Sequence, residues 1–132
     1  MRFFGRGPGS TRARGRAAED AAATWLERLG YVVLARNHAT RRGEVDLVCR
    51  DGTTLCFVEV RSRSRLDFGS PAASVNVGKA RRVVAAATDW AVRHGGGLEQ
   101  DIRFDVVAID LSSGSPRFEL FRGAFDAAGR PK

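Results

Sequence analysis

GEVDLVCRDGTTLCFVEVR, running from Gly43 to Arg61, is two alternating runs on either side of a turn signal. Glu44–Arg50 and Leu55–Arg61 flank Asp51-Gly52, so the stretch reads as a β-hairpin. Period two puts Val45, Leu47 and Cys49 on one face of the first strand, and Glu44, Asp46 and Val48 on the other. On the second strand Cys56, Val58 and Val60 share one face, and Leu55, Phe57, Glu59 and Arg61 the other. A two-residue turn at Asp51-Gly52 sets Asp46 opposite Phe57. A four-residue turn sets Asp46 opposite Glu59 and pairs Cys49 with Cys56. Both registers keep the same facing, since a slip by one residue would bury the acids against the apolar set. Asp46 and Glu59 therefore share a face within reach of each other, opposed or diagonal.

Like charges side by side on a sheet are unfavourable unless something positive sits between them. Three readings are open: a divalent metal shared by both carboxylates, salt bridges to the chain's many arginines, or independent solvation on an open sheet face. Leu47, Val48, Phe57, Val58 and Val60 surround the acids, and charges in so apolar a setting need a reason to be there.

Working outward, Arg16–Leu29 has Ala18, Ala22, Trp25, Leu26 and Leu29 at helical spacing, and Gly30 follows as a C-cap. Glu19 lies at the edge of that stripe, where it is either a dipole partner or an arm into a site on the sheet. Tyr31–Arg36 is a short strand. The loop from Asn37 to Gly43 brings Arg41 and Arg42 directly beside Glu44. After the hairpin come Arg63 and Arg65, so guanidinium groups able to grip phosphates line the edges of the acidic pair. Asn76 caps a second helix from Val77 to about Arg93. Its buried face is Val77, Ala80, Val84, Ala87 and Ala91, with Lys79, Arg81 and Arg82 off it. Arg103–Asp110 and Arg117–Phe121 are strands. The order αβββαββ, with a helix linking Arg61 to Arg103, predicts a mixed five-stranded sheet with two helices packed on it.

The chain has 132 residues, 43% of them hydrophobic and 28% charged, which suits one globular domain. Residues 1–14 read as a flexible basic arm, 15–122 as the domain and 123–132 as a loose tail. The net charge of +7 favours an anionic partner, nucleic acid first. Lys79 and Lys132 are the only lysines, so arginine carries nearly all the positive charge. Cys49 and Cys56 read as buried free thiols, and with His38 and His94 they form no zinc spacing. No apolar run reaches membrane-spanning length, and the N-terminus lacks a secretory h-region, so the expected compartment is the cytoplasm.

An acid on the first helix, an Asp ahead of the hairpin turn and Glu-x-basic on the next strand form a specific arrangement. It resembles the PD-(D/E)xK restriction-endonuclease-like fold, particularly the archaeal Holliday-junction resolvases. More closely, the chain resembles the YraN family of bacterial proteins. The resemblance rests on GRAAEDAAATWLERLGYVVLARN (Gly15–Asn37), RRGEVDLVCRDGTTLCFVEVRSRS (Arg41–Ser64), FGSPAASV (Phe68–Val75), Lys79 with Arg81 and Arg82, and RFDVVAI (Arg103–Ile109). It implies catalytic roles for Glu19, Asp46, Glu59 and Arg61, with Asp46, Glu59 and the backbone carbonyl of Val60 as ligands to Mg²⁺ or Mn²⁺. It further implies DNA, branched DNA included, as the partner, contacted through Arg41, Arg42, Arg63, Arg65, Lys79, Arg81 and Arg82.

Arg61 departs from the motif, which has Lys there. A guanidinium, with a pKa above ~12, cannot act as a base, although it can hold a phosphate. Lys79, surviving in a lysine-poor chain, is a candidate for the missing ammonium and equally for a plain phosphate contact. The resulting expectation is a metal-dependent endonuclease. Its rivals are a nucleic-acid-binding module that keeps the nuclease fold without turnover, and an adaptor whose basic face binds an acidic protein. Two cuts on one duplex need two sites, which makes a homodimer a further expectation.

Overall fold

The computed structural model describes residues 11–62, 75–110 and 114–132. Its elements are α1 (Thr11–Arg28), β1 (Val32–Thr40), β2 (Gly43–Asp51), β3 (Thr54–Ser62), α2 (Val77–His94), a 3₁₀ turn at Gly97–Glu99, β4 (Ile102–Asp110) and β5 (Arg117–Phe125). The expected order αβββαββ holds. The strands lie side by side in chain order, β1-β2-β3-β4-β5. Only β3 and β4 are parallel, since only they are joined by a crossover helix; the other neighbours are antiparallel. This is the mixed five-stranded sheet of the restriction-endonuclease-like class. Among the described residues no helix is long and apolar enough to cross a membrane.

The sheet has a core on each face. On one, Val48, Leu55, Phe57, Phe104 and Val106 meet Ala80, Val83, Ala87 and Trp90 of α2. On the other, Leu47, Cys49, Cys56, Val58 and Val107 meet Ala22, Ala23 and Leu26 of α1. Both strands of the hairpin are thus covered on both sides, which is why they read as nearly continuous apolar runs. Cys49 and Cys56 are direct partners across the hairpin, so the register is the one that opposes the cysteines. Both are free and buried, and burial pushes each thiol up to about 12.

Several elements differ from expectation. α1 starts five residues earlier than Arg16 and ends at Arg28, leaving Leu29 half exposed; Gly30, at φ 99°, turns the chain while Tyr31 N–H closes onto the Leu26 carbonyl. α2 is capped as expected, Asn76 Oδ1 accepting from Lys79 N–H at 2.8 Å, but its buried stripe centres on Val83 and Trp90 while Val77 is exposed. β1 runs four residues past Arg36. The segment expected as a loose tail is tied down instead. β5 continues to the buried Phe125, Asp126 Oδ1 accepts from Ala128 and Arg130 N–H at 2.9 Å, and Arg81 Nε donates to the Ala128 carbonyl at 3.3 Å. The pull is Phe125, which stacks on Phe104 with centroids 5.2 Å apart.

A buried polar clamp holds the end of the sheet nearest the hairpin turn. Arg103 reaches Asp105 Oδ1 through Nε at 2.9 Å and Oδ2 through Nη2 at 3.0 Å, and also Asp51 Oδ2 at 3.0 Å. Tyr31 hydroxyl donates to Asp105 Oδ2 at 3.1 Å, and Gly123 N–H to Asp105 Oδ1 at 2.9 Å. Burial and then the Asp105 charge push the Tyr31 phenol up to about 12. Removing one member of such a network strands the others. Asp105→Ala should therefore lower stability by about 3–5 kcal/mol in urea denaturation, with Asp105→Asn losing less; a change below about 1 kcal/mol would mean the clamp is dispensable.

Candidate functional site

Besides a bulge between Val33 and Ala35 of β1, β1 and β2 both break their alternation at one shared pair of positions. In β1, Arg36 points toward α1, where Nη1 meets Asp20 Oδ1 at 2.8 Å, yet His38 two residues on meets Asp89 of α2 at 2.8 Å. In β2, Leu47 lies in the α1 core but Val45 lies in the α2 core with Val48. Strict period two would have kept Val45 with Leu47, as expected from the sequence. The residues between are Asn37 and Asp46, which come level in the register that sets Arg36 against Leu47 and His38 against Val45. Asn37 has φ 54°, the left-handed region that Asn tolerates better than most residues. That local reversal flips everything beyond it. Gly43 consequently lies against α2 so tightly that a Cβ there would overlap the carbonyl of Arg82.

The flip places Asp46. The β2–β3 register runs from Asp51↔Thr54 to Leu47↔Val58, and Asp46 and Glu59 lie just past its end. Asp46 Oδ2 reaches across to accept the Val60 N–H at 2.8 Å. Glu59 follows Phe57 on the α2 face. Its Oε2 is 3.3 Å from Lys79 Nζ, while Oε1 is buried with no hydrogen-bond partner. Asp46 is 8% exposed and Glu59 3%. Burial first, and then the neighbouring Asp46 charge, push the Glu59 carboxyl up to about 8, against the opposing pull of Lys79. Glu19 sits beside Asp46 from α1; burial and the Asp46 charge raise its carboxyl too, while a hydrogen bond from Asn37 opposes them. The site is a row, Glu19–Asp46–Glu59–Lys79, passing through the gap where β2 and β3 part.

Of the residues singled out in the sequence, Glu19, Asp46, Glu59, Val60 and Lys79 come together here. Arg61 follows Glu59 by two positions on β3, opposite Ala108 of β4. Arg41 and Arg42 form the exposed β1–β2 turn. Arg82 is exposed on α2, whereas Arg81 is engaged with the C-terminal segment. Arg63 and Arg65 lie outside the described residues. Sequence reasoning missed Asn37, His38 and Asp89. For Asn37 the one available signal was its tolerance of positive φ between two strand-like runs.

A mixed αβββαββ domain with an acidic pair at the parting of its hairpin strands is the class that the geometry defines. Residues 18–109 match the family described as "Uncharacterised protein family UPF0102", and the chain belongs to that family. It is similar to "UPF0102 protein Anae109_1947" of Anaeromyxobacter sp. (strain Fw109-5), 62% identical over 93% of this chain and 92% of that one. A UPF0102 protein of Dechloromonas aromatica is 50% identical over 89% and 92% of the two chains. "UPF0102 protein GSU0650" of Geobacter sulfurreducens is 44% identical over 94% and 97%.

A carboxyl raised in the folded state makes that state bind more protons than the unfolded chain between the two pKa values. Here the ordinary value is 4.5 and the folded one about 8, so the contribution of Glu59 to stability is fully present below pH 4.5 and is lost as pH rises toward 8. In metal-free buffer Glu59→Gln should raise stability at pH 8 by about 2 kcal/mol and flatten the decline, read from urea midpoints across that range. A Gln variant that follows the wild-type curve would remove Glu59 as its source.

Proposed function

We propose that the chain is a metal-dependent phosphodiesterase acting on DNA, with Asp46 and Glu59 sharing a Mg²⁺ or Mn²⁺ ion. The observation that carries this reading is the Glu59 carboxylate. It is buried, pressed against a second carboxylate, and has one oxygen without a partner. Two buried carboxyls side by side resist ionising together, and Lys79 at 3.3 Å from Oε2 offsets only part of that cost, so a second cation between them would stabilise the charged pair.

The donor set suits such an ion. Among the described residues no group of three acidic, histidine or cysteine side chains is arranged to hold a metal unaided. Magnesium is commonly held by one or two carboxylates, with waters and substrate phosphate completing its octahedron. Asp46 and Glu59 supply the two carboxylates, and the Val60 carbonyl is the proposed third protein oxygen. When bound, the ion polarises a phosphodiester and lowers the pKa of an attacking water.

The remaining residues bind and orient. The Val60 N–H fixes one oxygen of Asp46 and leaves Oδ1 for the ion. Glu19, beside Asp46, is placed to orient a water. Arg61 can grip a phosphate bidentately and cannot take its proton. Lys79, on an exposed stem, brings a compact ammonium to the edge of the pair. Branched DNA as preferred substrate and a homodimer as working unit follow the resemblance to junction resolvases. Arg61 in place of the motif lysine favours a second reading, a module that binds nucleic acid without cutting it.

Incubation with linear and four-way-junction DNA, with Mg²⁺ or Mn²⁺ or with chelator, separates the two. The enzyme should cut only with metal and lose about 100-fold or more in rate as Asp46→Asn. Saturating Mn²⁺ should also raise its Tm by about 5 °C, an effect absent in Asp46→Asn. Salt-sensitive binding without cleavage would leave the module, and no Tm response to Mn²⁺ would sink the metal site.

A further inference from the structure

Past Gly43, on the β1 side of α2, lies an open groove of about 750 Å³ that the acidic row does not use. The end of β1, the β1–β2 turn and the C-terminal half of α2 form it, and His38, Arg41, Arg42, Thr88, Asp89 and Arg93 line it. Asp89 is the one carboxylate in that lining, and its charge is already met. Asp89 Oδ2 takes His38 Nε2 at 2.8 Å and Arg93 Nε at 2.9 Å, and those contacts, His38 first, hold its carboxyl below the usual carboxylate range. Asp89 thus acts as a positioning residue: it fixes the Arg93 stem by Nε and leaves the guanidinium fork toward solvent, where the side chain is 69% exposed. What the groove presents outward is three guanidinium groups with the Thr88 side chain at its wall.

The groove also has a direction. Lys79 touches Glu59, Arg82 lies over Gly43, and Asp89 and Arg93 follow along the same helix. From Lys79 to Arg93 is about 21 Å at ~1.5 Å rise per residue. That is about six nucleotides of one strand at ~3.4 Å each. The geometry points to this groove as the track for the sugar–phosphate backbone of a nucleic-acid strand that flanks the acidic pair, with Arg41, Arg42 and Arg93 on successive phosphates. The assignment deepens the nucleic-acid reading and rests on it. A weakly hydrated, forked guanidinium matches a phosphodiester well, and an open trough fits an extended polyanion better than a small free anion.

The test is binding of a fluorescent duplex in chelator, so that cleavage plays no part, measured by anisotropy across a salt series. Arg41→Gln/Arg93→Gln is compared with the charge-matched Arg28→Gln/Arg50→Gln on other surfaces, and Thr88→Glu puts a negative charge into the groove; thermal melts identify any variant that does not fold. The groove double variant should bind about tenfold more weakly at low salt and shallow the salt slope by about 2. Thr88→Glu should weaken binding similarly, and the control pair much less. Groove variants that bind like the control would overturn the track while leaving nucleic-acid binding intact. A wild type that ignores DNA at low salt would overturn both. Groove-dependent binding of polyglutamate in preference to DNA would reassign the surface to an acidic protein.

Discussion

Two carboxylates that ought to repel each other are held within reach because the strands carrying them come apart at that point. Inside the ladder, Asp46 and Glu59 would each have faced an apolar layer. Beyond it, Asp46 is free to swing into the sheet plane and take the Val60 N–H, while Glu59 stays under α2. The parting lies level with the positive-φ Asn37, beyond which Val45 of β2 faces α2. One residue with positive φ thus sits beside an acid 9 positions later in the chain, at the point where both strands change face.

The far end of the sheet is built the opposite way. There the buried acid, Asp105, has both oxygens occupied by Arg103, Tyr31 and Gly123 N–H. The contrast is informative, since the same chain satisfies one buried carboxylate fully and leaves Glu59 Oε1 with nothing. A closed network rigidifies, whereas an open one is available to something from outside. The clamp fastens β4, β5 and the hairpin turn, so the parted strands open from a fixed base.

Much of this was legible in the residues. The hairpin, the caps at Gly30 and Asn76, the element order and the closeness of Asp46 to Glu59 all follow from period, turn chemistry and the resemblance. What failed was tied to single backbone events. Alternation is a local rule that places Val45 by counting from Leu47, and counting cannot see a reversal at Asn37. The α2 stripe drifted by a residue because alanine-rich helices have weak apolar contrast, so that Trp90 and Val83, not Val77, decide the buried side. The ordered C-terminus depended on Phe125 finding Phe104, a contact between strands that a run of small residues and glycines gives no hint of. His38 and Asp89, 51 positions apart, meet only because β1 continues past Arg36.

The paired thiols at the middle of the hairpin have a practical bearing. Cys49 and Cys56 face each other under α1, sealed from water and pushed up to about 12. An alkylating reagent meets them only when α1 lifts from this face or the central ladder itself lets go. Their labelling rate is thus a built-in clock for release of α1 from the sheet or for any larger opening, readable without adding any dye or tag.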